Sequence, residues 1–181
     1  MNRRHFCKIT NLAILGGILG LNRPASALVT SSTGTSRFLS LTSTQTGEKV
    51  GEVFWSGGKI VPEGLDRINH LLRDFRTHEV GAIDPRLLHL LSDLARHLGV
   101  SPEFEVISGF RSAKTNAMLR RRSPNVARKS YHLLGQAVDI RIPGLSLDDL
   151  QAGALALKQG GVGKYPGPGF IHVDVGPVRT W

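Results

Sequence analysis

The sequence is poor in cysteine, in aromatic residues and in long apolar runs. Cys7 is the single cysteine of 181 residues, and it lies in a predicted leader, so the rest of the chain has no disulfide bond and no thiol nucleophile. Aromatic residues make up 6% of the chain, which disfavours a protein that stacks many nucleic-acid bases on its side chains. The apolar run at residues 9–21 contains three glycines and is shorter than the roughly 20 residues of a membrane-spanning helix.

The chain has fewer acidic residues (14) than basic residues (23), and its formal net charge is +9. Residues 1–27 hold four basic residues and no acidic one, so the remainder has 19 basic and 14 acidic residues and a net charge of +5. This balance is typical of an ordinary charged surface, with binding to an anionic wall polymer as the second interpretation. The basic run at residues 120–122 is interpreted as a solvated helix end or a contact for such a polymer. No nucleic-acid partner is expected, because no basic helix is interleaved with aromatic residues.

Residues 1–27 have the three parts of a secretory signal peptide. A positively charged start is followed by the apolar run and by small residues at positions 25–27, after which we predict cleavage. Arg3 and Arg4 resemble a twin-arginine signal, although Asn2 replaces the usual hydroxyl residue. We therefore expect export to the periplasm by the twin-arginine route and no stable membrane span after cleavage. An uncleaved membrane anchor is the alternative, and the oligomeric state stays open.

The rest of the chain mixes strand and helix patterns. Residues 28–36 are rich in Ser, Thr and Gly and are predicted to be a linker, and residues 37–181 are predicted to form one domain. Hydrophobic periodicity and capping signals predict strands at 37–42, 49–55, 104–107, 136–142 and 170–175, and helices from Pro62, from Pro85 to Gly99, at 115–122 and at 147–159. Glycines 160, 161 and 163 are predicted to break the last helix. We predict an α+β fold in which helices pack on one side of a small, largely antiparallel sheet.

The last two predicted strands each carry polar residues on one face. Because side chains alternate along a strand, Asp139 lies opposite the apolar face of its strand. His172 and Asp174 lie opposite the apolar face of the other strand for the same reason. If the two strands are neighbours, Asp139 and His172 share one side of the sheet, and the loop that carries His132 can fold back over them.

His132, Asp139 and His172 are a suitable set of zinc ligands. Two imidazoles and one carboxylate leave a fourth coordination position for water, as in catalytic zinc sites. Zinc lowers the pKa of that water and polarises a substrate carbonyl group. Spacing alone leaves an alternative open, since a histidine on a strand is more often a hydrogen-bonded structural group.

Three motifs surround these residues: Ser108-Gly-Phe-Arg111-Ser, Ser130-x-His132-x-x-Gly135-x-Ala137-x-Asp139 and Phe170-Ile-His172-Val-Asp174. Together they resemble the D-alanyl-D-alanine metallopeptidase family, whose larger group includes lysostaphin-type enzymes and the hedgehog signalling domain. The resemblance covers nearly the whole chain. It implies the α+β fold of these peptidases and of the hedgehog domain, with zinc ligands at His132, Asp139 and His172. It also implies a periplasmic enzyme that hydrolyses cross-link peptides of bacterial peptidoglycan.

The resemblance also implies roles for two residues beside the metal. Arg111 matches the family's arginine, whose guanidinium can hold a substrate carboxylate or stabilise the oxyanion formed on attack. A structural pair with an acidic residue is the alternative for Arg111. Ser130 is expected either to hydrogen-bond the substrate or to order the loop of His132.

One part of the family's pattern is missing from this chain. Many relatives carry a carboxylate as general base three residues before the last zinc histidine, and lysostaphin-type relatives carry a histidine two residues before it. Here these positions hold Gly169 and Phe170, and neither side chain accepts a proton. Asp174 is the nearest candidate base in sequence, and orienting a histidine ligand is its alternative role.

The expected function is zinc-dependent hydrolysis of peptidoglycan cross-link peptides, without an assignment of the bond cleaved. One alternative is a D,D- or L,D-carboxypeptidase that trims terminal residues of wall peptides. Another is a zinc-bearing wall-binding module without catalysis, because a fold does not determine a function and the base is not located.

Overall fold

The computed structural model describes residues 36–123 and 126–181. The predicted signal peptide and residues 28–35 of the predicted linker lie outside the described residues. The helices are α1 (Pro62–Leu71), α2 (Pro85–Leu98), α3 (Ala113–Arg122) and α4 (Leu147–Leu157), with a 3-10 helix at Tyr131–Leu134. The strands are β1 (Arg37–Ser43), β2 (Lys49–Ser56), β3 (Lys59–Ile60), β4 (Glu103–Ser108), β5 (Ala137–Arg141), β6 (Gly161–Tyr165), β7 (Phe170–Asp174) and β8 (Arg179–Thr180).

The described strands form one mixed sheet in the order β3-β2-β1-β4-β5-β7-β6-β8. The pairs β1/β4 and β6/β8 are parallel, and the other five pairs are antiparallel. The predicted α+β class with a largely antiparallel sheet is confirmed. The sheet is wider than the five predicted strands because short strands add to both of its edges.

Three helices cover the apolar face of this sheet. Helix α1 packs on β2, α2 packs on β1, α4 packs on β6 and β7, and α2 also contacts α4. The core contains the inward residues of β5 and β7, all of which are fully buried: Val138, Ile140, Ile171 and Val173. Burial of these side chains is favourable by about 1.5–3 kcal/mol each, and it holds β5 and β7 in one register. The opposite face of the same two strands is therefore available for polar groups.

Strand β6 was not predicted. Helix α4 ends at Leu157, two residues earlier than predicted, and Lys158 has a left-handed backbone conformation with φ 53°. Of the glycines predicted to break the helix, Gly161 and Gly163 belong to β6, and at both positions neighbouring chain lies too close for a side chain. A Cβ atom on Gly163 would lie 2.5 Å from the Trp181 ring, so glycine here marks a close approach within a strand. Among residues 36–123 and 126–181, no helix is long and apolar enough to cross a membrane.

Candidate metal centre

The pairing of β5 with β7 brings two of the predicted ligands together. The sequence left open whether the two strands are neighbours. In the structure they are antiparallel neighbours, and Asp139 lies directly opposite His172 in their register. Both side chains are buried, with 7% and 8% of their residue surface exposed. Directly opposed residues of an antiparallel pair project from the same face, so the carboxylate and the imidazole meet above the sheet.

The third predicted ligand, His132, comes from the 3-10 helix that precedes β5. Ser130 caps this helix, because its hydroxyl accepts a hydrogen bond from the His132 backbone N–H at 3.4 Å. Gly135 ends the helix with φ 65°, and a Cβ atom there would lie 2.0 Å from the Ala82 carbonyl oxygen. Only glycine fits this left-handed, crowded position. The turn directs the chain into β5 and leaves His132 buried beside Asp139.

Three side-chain atoms form a compact triangle of donors. His132 Nε2 is 3.2 Å from His172 Nδ1 and 3.3 Å from Asp139 Oδ1, and His172 Nδ1 is 2.9 Å from the same carboxylate oxygen. A tetrahedral zinc ion with bonds of about 2.0–2.2 Å needs ligand atoms roughly 3.3 Å apart. These residues can therefore hold one zinc ion. Among the described residues, no other cluster of three or more His, Cys, Asp or Glu side chains is arranged to bind a metal.

The remaining ring nitrogens fix both histidine orientations. His132 Nδ1 is 2.7 Å from the Gly109 carbonyl oxygen, so it carries the proton and leaves Nε2 with a lone pair. His172 Nε2 is 3.0 Å from Asp174 Oδ2, so Nδ1 of that ring has the free lone pair. Such partners on the far nitrogen orient metal-binding histidines and raise their basicity. The free lone pairs point at the donor triangle.

Electrostatics around the triangle also favour a cation. Burial by itself would raise the pKa of Asp139, but the neighbouring His132 and His172 hold the pKa of that carboxyl well below its usual range. Burial opposes a charged His172 ring, but the carboxylates of Asp139 and Asp174 outweigh that effect and raise its pKa. Without a metal, a proton on Nδ1 takes the place that a bound cation would have. The site therefore stabilises an ionised carboxylate together with positive charge next to it.

Asp174 lies behind His172, away from the triangle. Its side chain is fully buried, and its oxygens accept hydrogen bonds from the backbone N–H of Gly161 and Gly176. Arg179 adds a two-pronged ion pair, with Nη1–Oδ1 3.1 Å and Nη2–Oδ2 2.6 Å. With its acceptor positions taken, Asp174 is placed to orient His172. This geometry favours the orienting role over the role of a base.

Arg111 lies at the mouth of the site. Its backbone N–H donates to the His132 carbonyl oxygen at 3.1 Å, and its Nη2 is 3.9 Å from Asp139 Oδ2. Burial lowers the pKa of Arg111, partly offset by the charge of Asp139. The segment is anchored by the buried carboxylate of Asp74, which accepts from the Ser112 N–H at 2.9 Å and from its hydroxyl at 2.7 Å. Arg111 is thus held near the triangle with donors left for a ligand.

A cleft of 660 Å³ opens over the triangle. Its walls contain the predicted residues Arg111, Ser130, His132, Asp139 and His172. The sequence interpretation did not assign roles to the other wall residues, among them Tyr131, Tyr165, Arg179 and Trp181. Strand alternation places Tyr165 and Phe170 on the face of His172 once β6 is known to pair with β7, but β6 itself was hidden by its glycines.

Among the described residues of the cleft, no further carboxylate takes the place of the missing base. Among the described residues that line the cleft, Asp139 is the single acidic one. Gly169 lies in the turn before β7 with φ 76°, and Phe170 stacks on Tyr165 with ring centroids 4.9 Å apart. The cleft wall is therefore aromatic at the position where the resemblance led us to look for a carboxylate or a histidine.

The chain is similar to known proteins over nearly its whole length. It is 41% identical to the peptidoglycan L,D-endopeptidase MepK of Escherichia coli strain K12 over 180 residues, covering 99% of this chain and 97% of that protein. It is 45% identical to the probable peptidoglycan L,D-endopeptidase MepK of Haemophilus influenzae over 170 residues, covering 92% and 91%. Residues 31–181 match the family described as peptidoglycan L,D-endopeptidase MepK. On these matches, the chain belongs to the peptidoglycan L,D-endopeptidase MepK family of peptidases.

Proposed function

We propose that this chain is a zinc-dependent endopeptidase that hydrolyses peptide cross-links of peptidoglycan outside the cytoplasm. The observation that carries the proposal is the donor triangle of His132, Asp139 and His172, with edges of 2.9–3.3 Å. The names of the related proteins support peptidoglycan as the substrate. Their L,D designation favours a bond between an L-configured and a D-configured centre.

Hydrolysis requires that water add to the carbonyl carbon, that the C–N bond break, and that the amine nitrogen take up a proton. When bound, zinc supplies Lewis-acid activation for this addition. His132 and His172 present one lone pair each towards the metal position, and Asp139 supplies the charge that balances it. Arg111, with 13% of its side chain exposed, holds either a substrate carboxylate or the carbonyl oxygen as it gains charge.

Two other predicted residues have supporting roles in this proposal. Asp174 keeps the proton of His172 on Nε2 and does not act as the base, since its oxygens are already hydrogen-bonded. Ser130 orders the helix of His132 through its capping hydrogen bond and also lines the cleft. The proton that the attacking water loses balances the proton that the leaving amine nitrogen takes up, so the hydrolysis is balanced overall.

The test is digestion of purified cross-linked muropeptide dimers, read by mass spectrometry with and without a chelator. Conversion of dimers to monomers that stops on chelation and returns with zinc supports the proposal. Release of terminal residues alone would assign a carboxypeptidase, and binding without hydrolysis would assign a wall-binding module; either result overturns it. His132→Ala and His172→Ala are expected to abolish zinc binding and hydrolysis. The exposed His97→Ala is the matched control and is expected to retain both.

The proposed location has its own test. Replacing Arg3 and Arg4 together by lysine keeps the charge and removes the arginine pair. We expect the protein to disappear from the periplasmic fraction and to accumulate as precursor. Unchanged periplasmic protein would rule out the twin-arginine route and leave the enzyme assignment intact.

A further inference from the structure

All of the net positive charge of the predicted exported chain lies in one segment. Residues 106–138 contain seven arginines and lysines and no acidic residue. The other residues from 28 onwards contain 12 basic and 14 acidic residues. The segment runs from the end of β4 through helix α3 and the following loop to the 3-10 helix of His132 and the start of β5, so it includes part of the candidate metal centre.

Six of these seven residues form an exposed basic surface: Lys114, Arg120, Arg121, Arg122, Arg128 and Lys129. Within the described part of the chain none of the six forms an ion pair with an acidic residue, since the ion pairs all involve other residues. Elsewhere most arginines are paired, for example Arg67 with Glu52 and Arg73 with Glu48. The charges of the basic surface are therefore available to a partner.

The basic surface continues into the cleft. Asn116 of α3 donates from Nδ2 to the carbonyl oxygens of Ala127 at 3.2 Å and Arg128 at 3.5 Å. These bonds hold the loop against the middle of α3 and keep its two basic residues beside the helix. Lys129 lines the cleft next to Ser130. A ligand seated at the metal centre can thus extend from the cleft onto the basic surface.

We infer that the basic surface binds carboxylate-bearing peptide strands of polymeric peptidoglycan beyond the bond that is cleaved. This inference rests on the proposed function, which supplies a substrate with many free carboxylates. Unpaired surface cations attract such a polymer at long range and at low salt. The Debye length falls from about 10 Å at 0.1 M salt to about 3 Å at 1 M, so this attraction is expected to vanish at high salt.

The test compares insoluble peptidoglycan with a small soluble substrate. Co-sedimentation with sacculi is measured in the presence of a chelator, so that hydrolysis does not release the protein. Replacing Arg120, Arg121 and Arg122 by glutamine is expected to weaken binding about tenfold at low salt and to have no effect at high salt. The kcat/KM for an isolated muropeptide dimer is expected to stay within about twofold. Lys114→Gln with Arg128→Gln is the second variant, should the first one unfold.

A control variant removes three positive charges outside the basic surface. Lys49→Gln, Lys59→Gln and Lys158→Asn change three exposed lysines and are expected to leave sacculus binding unchanged. The inference is overturned if the arginine variant binds sacculi normally, or if the lysine control loses as much affinity. It is also overturned if the arginine variant loses binding only to anionic lipid vesicles. These results are distinct from failure of the proposed function, which is the absence of dimer cleavage by the unchanged protein.

A second inference rests on a separate observation, the hydrogen bond between Trp181 and Tyr165. Trp181 Nε1 donates to the Tyr165 hydroxyl oxygen at 2.8 Å, because an indole nitrogen is a donor only. The Tyr165 hydroxyl proton is then free to be donated to another acceptor. Within the described residues, the Tyr165 hydroxyl makes no other hydrogen bond. Tyr165 lines the same cleft as Arg111 and His172. Stacking on Phe170 holds the ring in place.

From this geometry we propose that the Tyr165 hydroxyl donates a hydrogen bond to the substrate carbonyl oxygen as that oxygen gains negative charge. Tyr165→Phe is expected to lower kcat about 100-fold, as for other oxyanion donors, with KM and zinc content unchanged. Affinity for a phosphinate analogue of the cross-link peptide, which carries anionic tetrahedral oxygens, is expected to fall by a similar factor. Unchanged kcat, or an equal loss of zinc, would overturn this role.

The tryptophan provides a graded comparison for the same proposal. Trp181→Phe keeps a ring against His172 but removes the donor that fixes the Tyr165 oxygen, so a smaller loss of kcat is expected. Trp55→Phe is the matched control. Trp55 lies on β2, far from the cleft along the sheet, and its ring contacts His89. A larger loss in Trp55→Phe than in Trp181→Phe would contradict the proposal.

Discussion

The two nitrogens of the His172 ring face carboxylates with opposite surroundings. On the Nε2 side, Asp174 accepts two backbone N–H groups and is paired with Arg179, so the protein itself satisfies its charge. On the Nδ1 side, Asp139 contacts two imidazoles, and the nearest guanidinium nitrogen of Arg111 is 3.9 Å away. Both carboxylates are buried, yet only Asp174 has a guanidinium group within hydrogen-bonding distance.

This difference teaches how two similar residues take different roles. A buried carboxylate is stable when hydrogen bonds and an opposite charge compensate for lost water. Asp174 has that compensation within the chain and serves as a fixed partner of His172. Asp139 lacks a close fixed cation, and a metal ion between it and the two lone pairs would supply the missing charge.

The largest expected effect is that of Asp139→Asn. The amide keeps the shape but removes the charge that a bound metal requires, so stoichiometric zinc binding should be lost along with hydrolysis. Metal content by mass spectrometry and the rise of Tm on adding zinc measure this, since a ligand that binds only the folded state stabilises it. Zinc binding like that of the unchanged protein would remove Asp139 from the ligand set.

A smaller effect is expected for Asp174→Asn. Partners of metal-binding histidines contribute about 10–100-fold to metal affinity or activity, so zinc should still bind, but more weakly. A competition titration with a chromophoric chelator gives the affinity. A loss as complete as that of Asp139→Asn would show that the two carboxylates do not differ in role.

A third buried carboxylate, Asp74, extends the comparison to a site without histidine. Burial alone would raise its pKa, but hydrogen bonds from Thr115, Ser112 and the Arg76 N–H outweigh burial and lower the pKa of Asp74 to about 2. Because the folded value is below the unfolded value of about 3.9, Asp74 stabilises the fold above pH 4, and this contribution disappears as the pH falls towards 2. The lowered pKa of Asp74 contributes about 2 kcal/mol to the free energy of unfolding at neutral pH.

Asp74→Asn is therefore expected to lower the free energy of unfolding at pH 7. It should also reduce the slope of that free energy against pH between about pH 4 and pH 2. Urea unfolding at a series of pH values measures both. An unchanged slope in that interval would contradict the lowered pKa. Zinc affinity is expected to be nearly unaffected, because Asp74 contacts the Arg111 segment and no predicted ligand.

The smallest effect is expected for Arg179→Gln. The guanidinium is 38% exposed, so water screens part of its attraction to Asp174, and the two backbone N–H groups remain. A loss of about 1 kcal/mol in the free energy of unfolding is expected. In the double variant with Asp174→Asn the two losses should not add, because they remove one shared interaction. Full additivity in urea unfolding would show that the pair is not coupled.

Part of the geometry of the candidate site could be predicted from local periodicity, whereas the assignment of the three zinc ligands rested on the resemblance of the motifs to a peptidase family. Alternation along two strands placed Asp139 and His172 on polar faces, and the structure adds that the strands are neighbours in register. The roles of Gly109, Arg179 and Tyr165 could not be predicted, since each reaches the site through contacts between distant segments. Strand β6 was missed because its glycines, which normally weaken a strand, are needed for the close approach of Trp181 and Arg179.

The sequence by itself determined the α+β class, the polar faces of the last long strands and the identity of three potential zinc ligands. The first two features follow from side-chain period, a local property of the chain, and the third follows from donor chemistry together with the resemblance of the motifs to a metallopeptidase family. Only the tertiary structure decided which nitrogen of each histidine is free and which carboxylate is already satisfied. That choice depends on a carbonyl group 23 residues from His132 and on a guanidinium in another strand, and no local pattern encodes their approach.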